Sequence, residues 1–434
     1  MKKKGRQKGK SDPGHHLGTT LSLSFPPSLS KPMKRSTMAA ATTPTAATAE
    51  PQRDRSYSAV PPLPRKRPAM TPDVARLVRC RYLVIGAGAH KGVALVAALR
   101  ALDGVDRVAP GSDGRGVMAR LKGAAGTSIG SAIALAALCQ VPIERLAAIA
   151  RDPATWSLDA AMADADLIRL MKRKGLCSHR ALYATIHVLM DAAGLPHDID
   201  LAGLHARTGR TFVCNATDAD DLSVVFLSHT TAPRMRVADA LCASMCVPGF
   251  FEPFVWNGRS LVDGALVADY VPDVFPEGET MGIAIAPRSM RRSRGGQGSS
   301  GGDDDDDDRQ THGPFGGPFG RGPNGVMWAL GLVSRLSDLA NAARPMSRAA
   351  RAATVYVDLP PRLIGLRLRV DPDDIASLWD HGKRAAAVYL SRDAFAACAL
   401  ACVMGEAISH GAPRGSASKT RDTSGSSSAS SDAS

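Results

Sequence analysis

The stretch RYLVIGAGAHKGVALVAAL, residues 81–99, sets the fold class. Arg81–Ile85 is a short apolar run closed by Gly86, the pattern of a buried strand. Val93–Leu102 is rich in Ala, Val and Leu and reads as a helix. Between them lies Gly86-Ala-Gly-Ala-His-Lys-Gly92. A glycine loop between a strand and a helix aims backbone N–H groups at an anion, and the helix N-terminus adds partial positive charge. A dinucleotide loop is one reading, and Asp106 stands about 20 residues on, where a ribose-binding acid is expected. Against it, the third glycine comes one residue late for G-x-G-x-x-G and Lys91 sits beside it.

Outward from this unit, apolar runs continue to alternate in type. Helices are expected from Ile129 through Cys139, after Pro142, and over Asp159–Lys172, His179–Ala193, Val237–Met245, Asp371–Leu390 and Asp393–Ala407. Strands are expected at Phe212–Ala216, Leu222–Ser228, Met281–Ala286 and Thr354–Asp358. The strand needed before Ser128 is weak, because Ala119–Ala125 (ARLKGAA) has poor strand propensity. Alternating strands and helices predict an α/β fold, a mainly parallel central sheet covered by helices on both faces.

Charge separates the body from its tails. The chain of 434 residues carries 54 Lys and Arg against 41 Asp and Glu, a net +13. Residues 1–70 hold 14 basic and 3 acidic residues, a net +11, which leaves +2 for the remaining 364. A near-neutral body argues against a nucleic-acid groove in the folded domain. Residues 1–77 are expected as a disordered basic tail, because Lys, Ser, Thr and Pro cannot bury enough surface to offset ordering entropy. Residues 288–325, with six consecutive Asp at Asp303–Asp308, read as a disordered insertion, and 410–434 as a second tail. The folded domain is then 78–287 with 326–409.

Pro64-Arg65-Lys66-Arg67 reads as a nuclear-import address, as part of a proline-rich docking segment, or as plain linker. The basic tail also suits peripheral contact with an anionic membrane. No run nears the roughly 20 apolar residues of a membrane span, and no apolar core of a secretory signal follows the basic start, so a cytoplasmic location is expected. The eight cysteines form no CxxC pair and read as reduced core thiols, so no metal site is expected.

Two further motifs follow the glycine loop. Gly126-Thr-Ser-Ile-Gly130 is a G-x-S-x-G match, in which flanking glycines permit a strained strand-to-helix turn that exposes the serine hydroxyl. Ala243-Ser-Met-Cys-Val-Pro-Gly-Phe-Phe-Glu-Pro253 leads through a hairpin at Asn257-Gly258 into Leu261-Val-Asp-Gly-Ala265. Each motif alone is common. Together and in this order, over about Tyr82–Pro272, they resemble the patatin-like phospholipases. The glycine-containing segment Trp379–Leu390 is similar to that family's last helix.

The resemblance implies a serine lipid acyl hydrolase acting on phospholipids or other acyl lipids, with no metal or cofactor. Ser128 would be the nucleophile and Asp263 its base, without a histidine. The loop Ala87, Gly88, Ala89, Lys91 and Gly92 would hold the oxyanion, through the N–H groups of Gly88 and Ala89 with help from Ile129. Gly126 and Gly130 would shape the nucleophile turn, and Gly264 and Ala265 the aspartate motif. The family's loop usually reads Gly-Gly-Gly-x-Arg/Lys-Gly, so Ala87 and Ala89 depart from it, and an inactive lipid- or protein-binding module is the alternative. A Ser-Asp-His arrangement would need His381 or His410; His381 sits on a charged helix beside Asp380 and Lys383. His90 reads equally as a site residue or a structural one, and Lys172-Arg-Lys174 as a basic spot near the substrate entrance.

Overall fold

A computed structural model describes residues 71–287, 290, 325–364, 367 and 369–391. The first element is helix α1 (Pro72–Arg79), with proline at its first turn and Val74 and Leu77 buried. The expected tail boundary at residue 77 is therefore corrected to before Pro72, because this helix has an apolar face to bury. Residues 1–70, the import-like Pro64–Arg67 segment, most of 288–324 and the expected helix 393–407 lie outside the described residues.

Strand β1 (Tyr82–Ile85) feeds helix α2 (Gly92–Val108), as the opening stretch predicts. Strand β2 (Gly123–Thr127) then feeds α3 (Ile129–Leu138). Helices α4 (Ile143–Arg151), α5 (Pro153–Trp156), α6 (Asp159–Met162) and α7 (Leu167–Arg173) follow. The single helix expected over 159–172 is thus two, because Asp166 caps a new start by accepting the N–H of Ile168 at 2.8 Å. Next come β3 (Gly175–Cys177), α8 (Arg180–Ala192), α9 (Leu201–Thr208), β4 (Thr211–Asp218), β5 (Val224–Ser228) and α10 (Val237–Met245). Short strands β6 (Gly249–Phe251), β7 (Phe254–Trp256) and β8 (Arg259–Asp263) precede β9 (Thr280–Ile285). Helices α11 (Gly325–Ala342) and α12 (Arg348–Ala352), strand β10 (Thr354–Val357) and helix α13 (Pro372–Leu390) complete the described chain. The β7–β8 hairpin turns at Asn257 and Gly258, both at positive φ, as the Asn-Gly signal predicts.

The main sheet runs β10-β9-β1-β2-β4-β8-β7, with β5 also on β4. Pairings from β10 to β4 are parallel, and those of β4 with β5 and β8 are antiparallel. Alternate strand residues serve the two faces. Leu83, Ile85, Ala124, Phe212 and Cys214 join the large core with α2, α3, α10 and α13. Val84, Ala125, Val213 and Ala284 join a smaller core with Ala268, Tyr270 and Val271. The cover is uneven, since the second face is packed mainly by the turns that follow β8.

Candidate active site

Strand register brings Ser128 and Asp263 together. Strands β2 and β8 pair with successive stretches of the same edge of β4, and they run in opposite directions. Thr127, the last residue of β2, pairs with Asn215, while Asp263, the last residue of β8, pairs with Ala216. The two C-terminal ends therefore meet at adjacent residues of β4. Ser128 Oγ donates to Asp263 Oδ2 at 2.7 Å, and both residues are buried.

Ser128 has φ 53° and ψ −131°, a conformation that costs a non-glycine residue about 1–3 kcal/mol. Its surroundings hold that strain. Its N–H donates to Ser244 Oγ at 3.0 Å, and its carbonyl accepts from Ser131 Oγ at 2.5 Å. A Cβ at Gly126 would lie 2.3 Å from the Gly130 carbonyl group, and one at Gly130 would lie 2.3 Å from the Gly86 oxygen. These two glycines let the turn fold onto its own helix and onto the loop after β1.

Asp263 is fixed from three sides. Its N–H donates to the Cys246 carbonyl at 2.7 Å, its Oδ1 accepts the Ala265 N–H at 2.8 Å, and its carbonyl accepts from Thr217 Oγ1 at 3.1 Å. Gly264 passes so close to Asn215 that a Cβ would meet its carbonyl oxygen at 2.4 Å. Burial pushes the Asp263 carboxyl up to about 6, opposed by the hydrogen bonds from Ser128 and Ala265. Ala265 also offers its carbonyl to Ser337 Oγ at 2.5 Å and to Asn341 Nδ2 at 2.8 Å, which seats α11 over the aspartate turn.

Because β1 and β2 are neighbours, with Ile85 opposite Gly126, the glycine loop lies beside the Ser128 turn. Ala87 is committed, its N–H donating to the Asp269 carbonyl at 2.7 Å. Among the described residues the N–H groups of Gly88 and Ala89 have no acceptor. Lys91 Nζ reaches away to the Ile364 carbonyl at 2.7 Å, and Gly92 opens α2 where a Cβ would lie 2.6 Å from the Trp156 ring. His90 is buried, and burial, Lys91 and Arg367 hold its imidazole down to about 3, so it is neutral.

Ala89 sits at φ +48°. An L-residue pays about 1–2 kcal/mol there, while glycine loses more conformational entropy on folding instead. Ala89→Gly is expected to stabilise the fold by up to about 1 kcal/mol, read from the urea midpoint. An unchanged or lower midpoint would mean that the strain relieved here is no larger than the entropy cost of the glycine.

Among the described residues no histidine hydrogen-bonds Ser128 or Asp263. His381 is on α13, and His410 lies outside the described residues. Sequence reasoning missed three supports: Ser244, the Ser337–Asn341 pair, and the buried Thr127–Asn215 hydrogen bond of 2.6 Å behind the turn. Ser244 stands in the Ala243–Pro253 block without a role of its own, and Asn215 shows as a lone Asn in the apolar run of β4. His179, Cys242 on α10 and Cys246 at its C-cap bring one ligand atom each within 4.8 Å of one another, with both thiols buried. The six described cysteines are free thiols, and Cys398 and Cys402 lie outside the described residues.

With this geometry in hand, residues 83–275 match the family model described as patatin-like phospholipase. By this match it is residues 83–275 that carry the patatin-like phospholipase domain. Among solved structures it is similar to VipD from Legionella pneumophila, at 13% identity and a TM-score of 0.40, covering 72% of this chain and 67% of that one. It is also similar to the type III effector protein ExoU, at 12% identity and a TM-score of 0.35, covering 72% of this chain and 53% of that one. No curated protein matches the chain.

Proposed function

We propose that this chain is a serine hydrolase that cleaves carboxylic esters of phospholipids or other acyl lipids through Ser128 and Asp263. The observation that carries this reading is the 2.7 Å hydrogen bond from a strained serine hydroxyl to a buried carboxylate. Ser128 Oγ attacks the ester carbonyl as Asp263 Oδ2 takes its proton. The N–H groups of Gly88 and Ala89, with that of Ile129 at the start of α3, face the developing oxyanion; removing one such donor typically costs about 2.7–4 kcal/mol of barrier. Collapse of the tetrahedral intermediate expels the alcohol, which leaves with the proton held by Asp263. Water then attacks the acyl-Ser128, giving its proton to Asp263, which returns it to Ser128 Oγ as the fatty acid departs.

An aspartate with an ordinary pKa of about 3.9 is a weak base. Burial raises Asp263 toward the working range while leaving it mostly ionised at neutral pH. A fluorophosphonate reagent is expected to label the purified protein, with the adduct on the peptide that contains Ser128. The second reading, a non-catalytic lipid- or protein-binding module, is favoured by Ala89, whose methyl stands on the loop at positive φ. Folded protein that binds acyl lipid but takes no label would decide for it.

A further inference from the structure

Helix α7 is built inside out. The side toward the body is led by a charge: Arg169, largely covered, has Nε 3.0 Å from Glu252 Oε1, while Arg173, itself exposed, reaches Glu252 Oε2 at 3.4 Å from the rim. Arg169 also pairs with Asp164 at 3.1 Å. Its apolar face turns outward, with Leu167 65%, Ile168 64% and Met171 84% exposed. Positions i, i+1 and i+4 fall within about 100° of arc, so the three side chains share one face. Helix α7 buries none of its residues. A helix that faces water does the reverse, so this face is made for apolar surroundings.

We propose that the outer face of α7 docks the protein on an anionic phospholipid surface beside the candidate active site. The inference rests on the lipid hydrolase reading above, which requires the enzyme to meet substrate in a bilayer. Charge selects the surface. Lys172 and Lys174 flank the apolar triad and make no ion pair among the described residues, so their ammonium groups suit lipid phosphates. The nearby acids are turned inward or committed. Glu252 and Asp164 pair with arginines, Asp166 caps α7, and Asp159 pairs with Arg369.

Position fits as well. α7 packs on β3, which pairs with β6, and β6 follows α10, whose C-terminal end supports both Ser128 and Asp263. On the other side, α11 packs on β6 and on the turn after Asp263. It carries a second exposed stripe, Leu332, Leu336 and Leu339. Two apolar helix faces therefore border the segment that frames the site.

The test is flotation of the full chain with vesicles, in a Ser128→Ala background so that no lipid is consumed. Vesicles of phosphatidylcholine alone are compared with vesicles containing phosphatidylserine. Salt of about 0.5 M screens the contribution of the basic residues 1–70 and leaves apolar insertion in place. Ile168→Glu with Met171→Glu is expected to reduce the bound fraction at least tenfold at about 0.5 M salt, where residues 1–70 are screened. Lys172→Glu with Lys174→Glu is expected to reduce the preference for phosphatidylserine at low salt below that of the wild type, the remainder being due to residues 1–70. With the native Ser128 restored, the Ile168/Met171 variant should still hydrolyse a soluble short-chain ester at the wild-type rate. Flotation is read without turnover, so loss of the docking face and loss of the hydrolase reading give separate results. Undiminished flotation of the Ile168/Met171 variant overturns the proposal and leaves the face to a protein partner.

Discussion

Ser128→Ala is expected to lower release of fatty acid from a labelled lipid by at least about 10³–10⁴-fold, and Asp263→Asn to do the same. The two groups act on one proton, so neither is useful without the other. The double variant should therefore be no slower than the worse single one, because residues that work as a unit are grossly non-additive. The fold should survive each change. In Ser128→Ala the backbone N–H can keep its bond to Ser244 Oγ, and the new methyl side chain meets the same positive φ that the native serine already bears. Loss of the Oγ donor leaves Asp263 Oδ2 short of one partner, but Oδ1 retains the Ala265 N–H at 2.8 Å. Fatty-acid release under saturating substrate, with circular dichroism melts of the same samples, makes the measurement. Retention of more than about a tenth of turnover in either variant would remove that residue from the chemistry.

The sequence was most legible where glycine and strand register coincide. The strand–loop–helix of 81–99, the turn around Ser128 and the Asn257-Gly258 hairpin each carry local signals, and each forms as read. The order of these motifs located Ser128 and Asp263, but it could not state why they touch. That follows from β2 and β8 meeting end to end along β4, which joins two residues 135 positions apart. Strand β2 itself was the weak link. Its residues, Gly-Ala-Ala-Gly-Thr, have little intrinsic preference for a strand, yet all five are buried. Strand propensity is largely side-chain packing, and here α3 approaches Gly126 too closely for a Cβ while Phe275 and Thr211 crowd Gly123.

Other elements were hidden for different reasons. β3 and β6 have three residues each, too few for a period-2 pattern to register. α7 was merged with α6 because Ala163-Asp-Ala-Asp166 keeps helical composition, although Asp166 is a capping residue in place to start anew. α11 follows the aspartate-rich insertion, where the sequence predicts no element. Leu332, Leu336 and Leu339 do have helical spacing, but they face outward, so the stripe marks a surface and not a core. Periodicity identifies a helix more readily than it tells which side the protein is on.

The buried carboxyl of Asp263 makes a prediction in which activity and stability move in opposite directions with pH. Activity needs the carboxylate, so kcat/KM is expected to rise about tenfold per pH unit up to about 6 and then level off. Stability follows linkage. The folded-state pKa is about 6 and the unfolded value about 3.9, so between them the native state binds more protons than the unfolded chain. Stability then falls as pH rises through this window, by about 3 kcal/mol in total, and stays low above it. Asp263→Asn removes the ionisable group and with it this loss. The variant should gain in Tm relative to the wild type between pH 4 and pH 7, while remaining inactive at every pH. Groups that titrate in both proteins cancel in the difference, so differential melts at unit steps from pH 4 to pH 8 isolate Asp263. A flat difference would mean that the carboxylate is as well solvated in the fold as in the unfolded chain. Its fitness as a base near neutral pH would then need another cause.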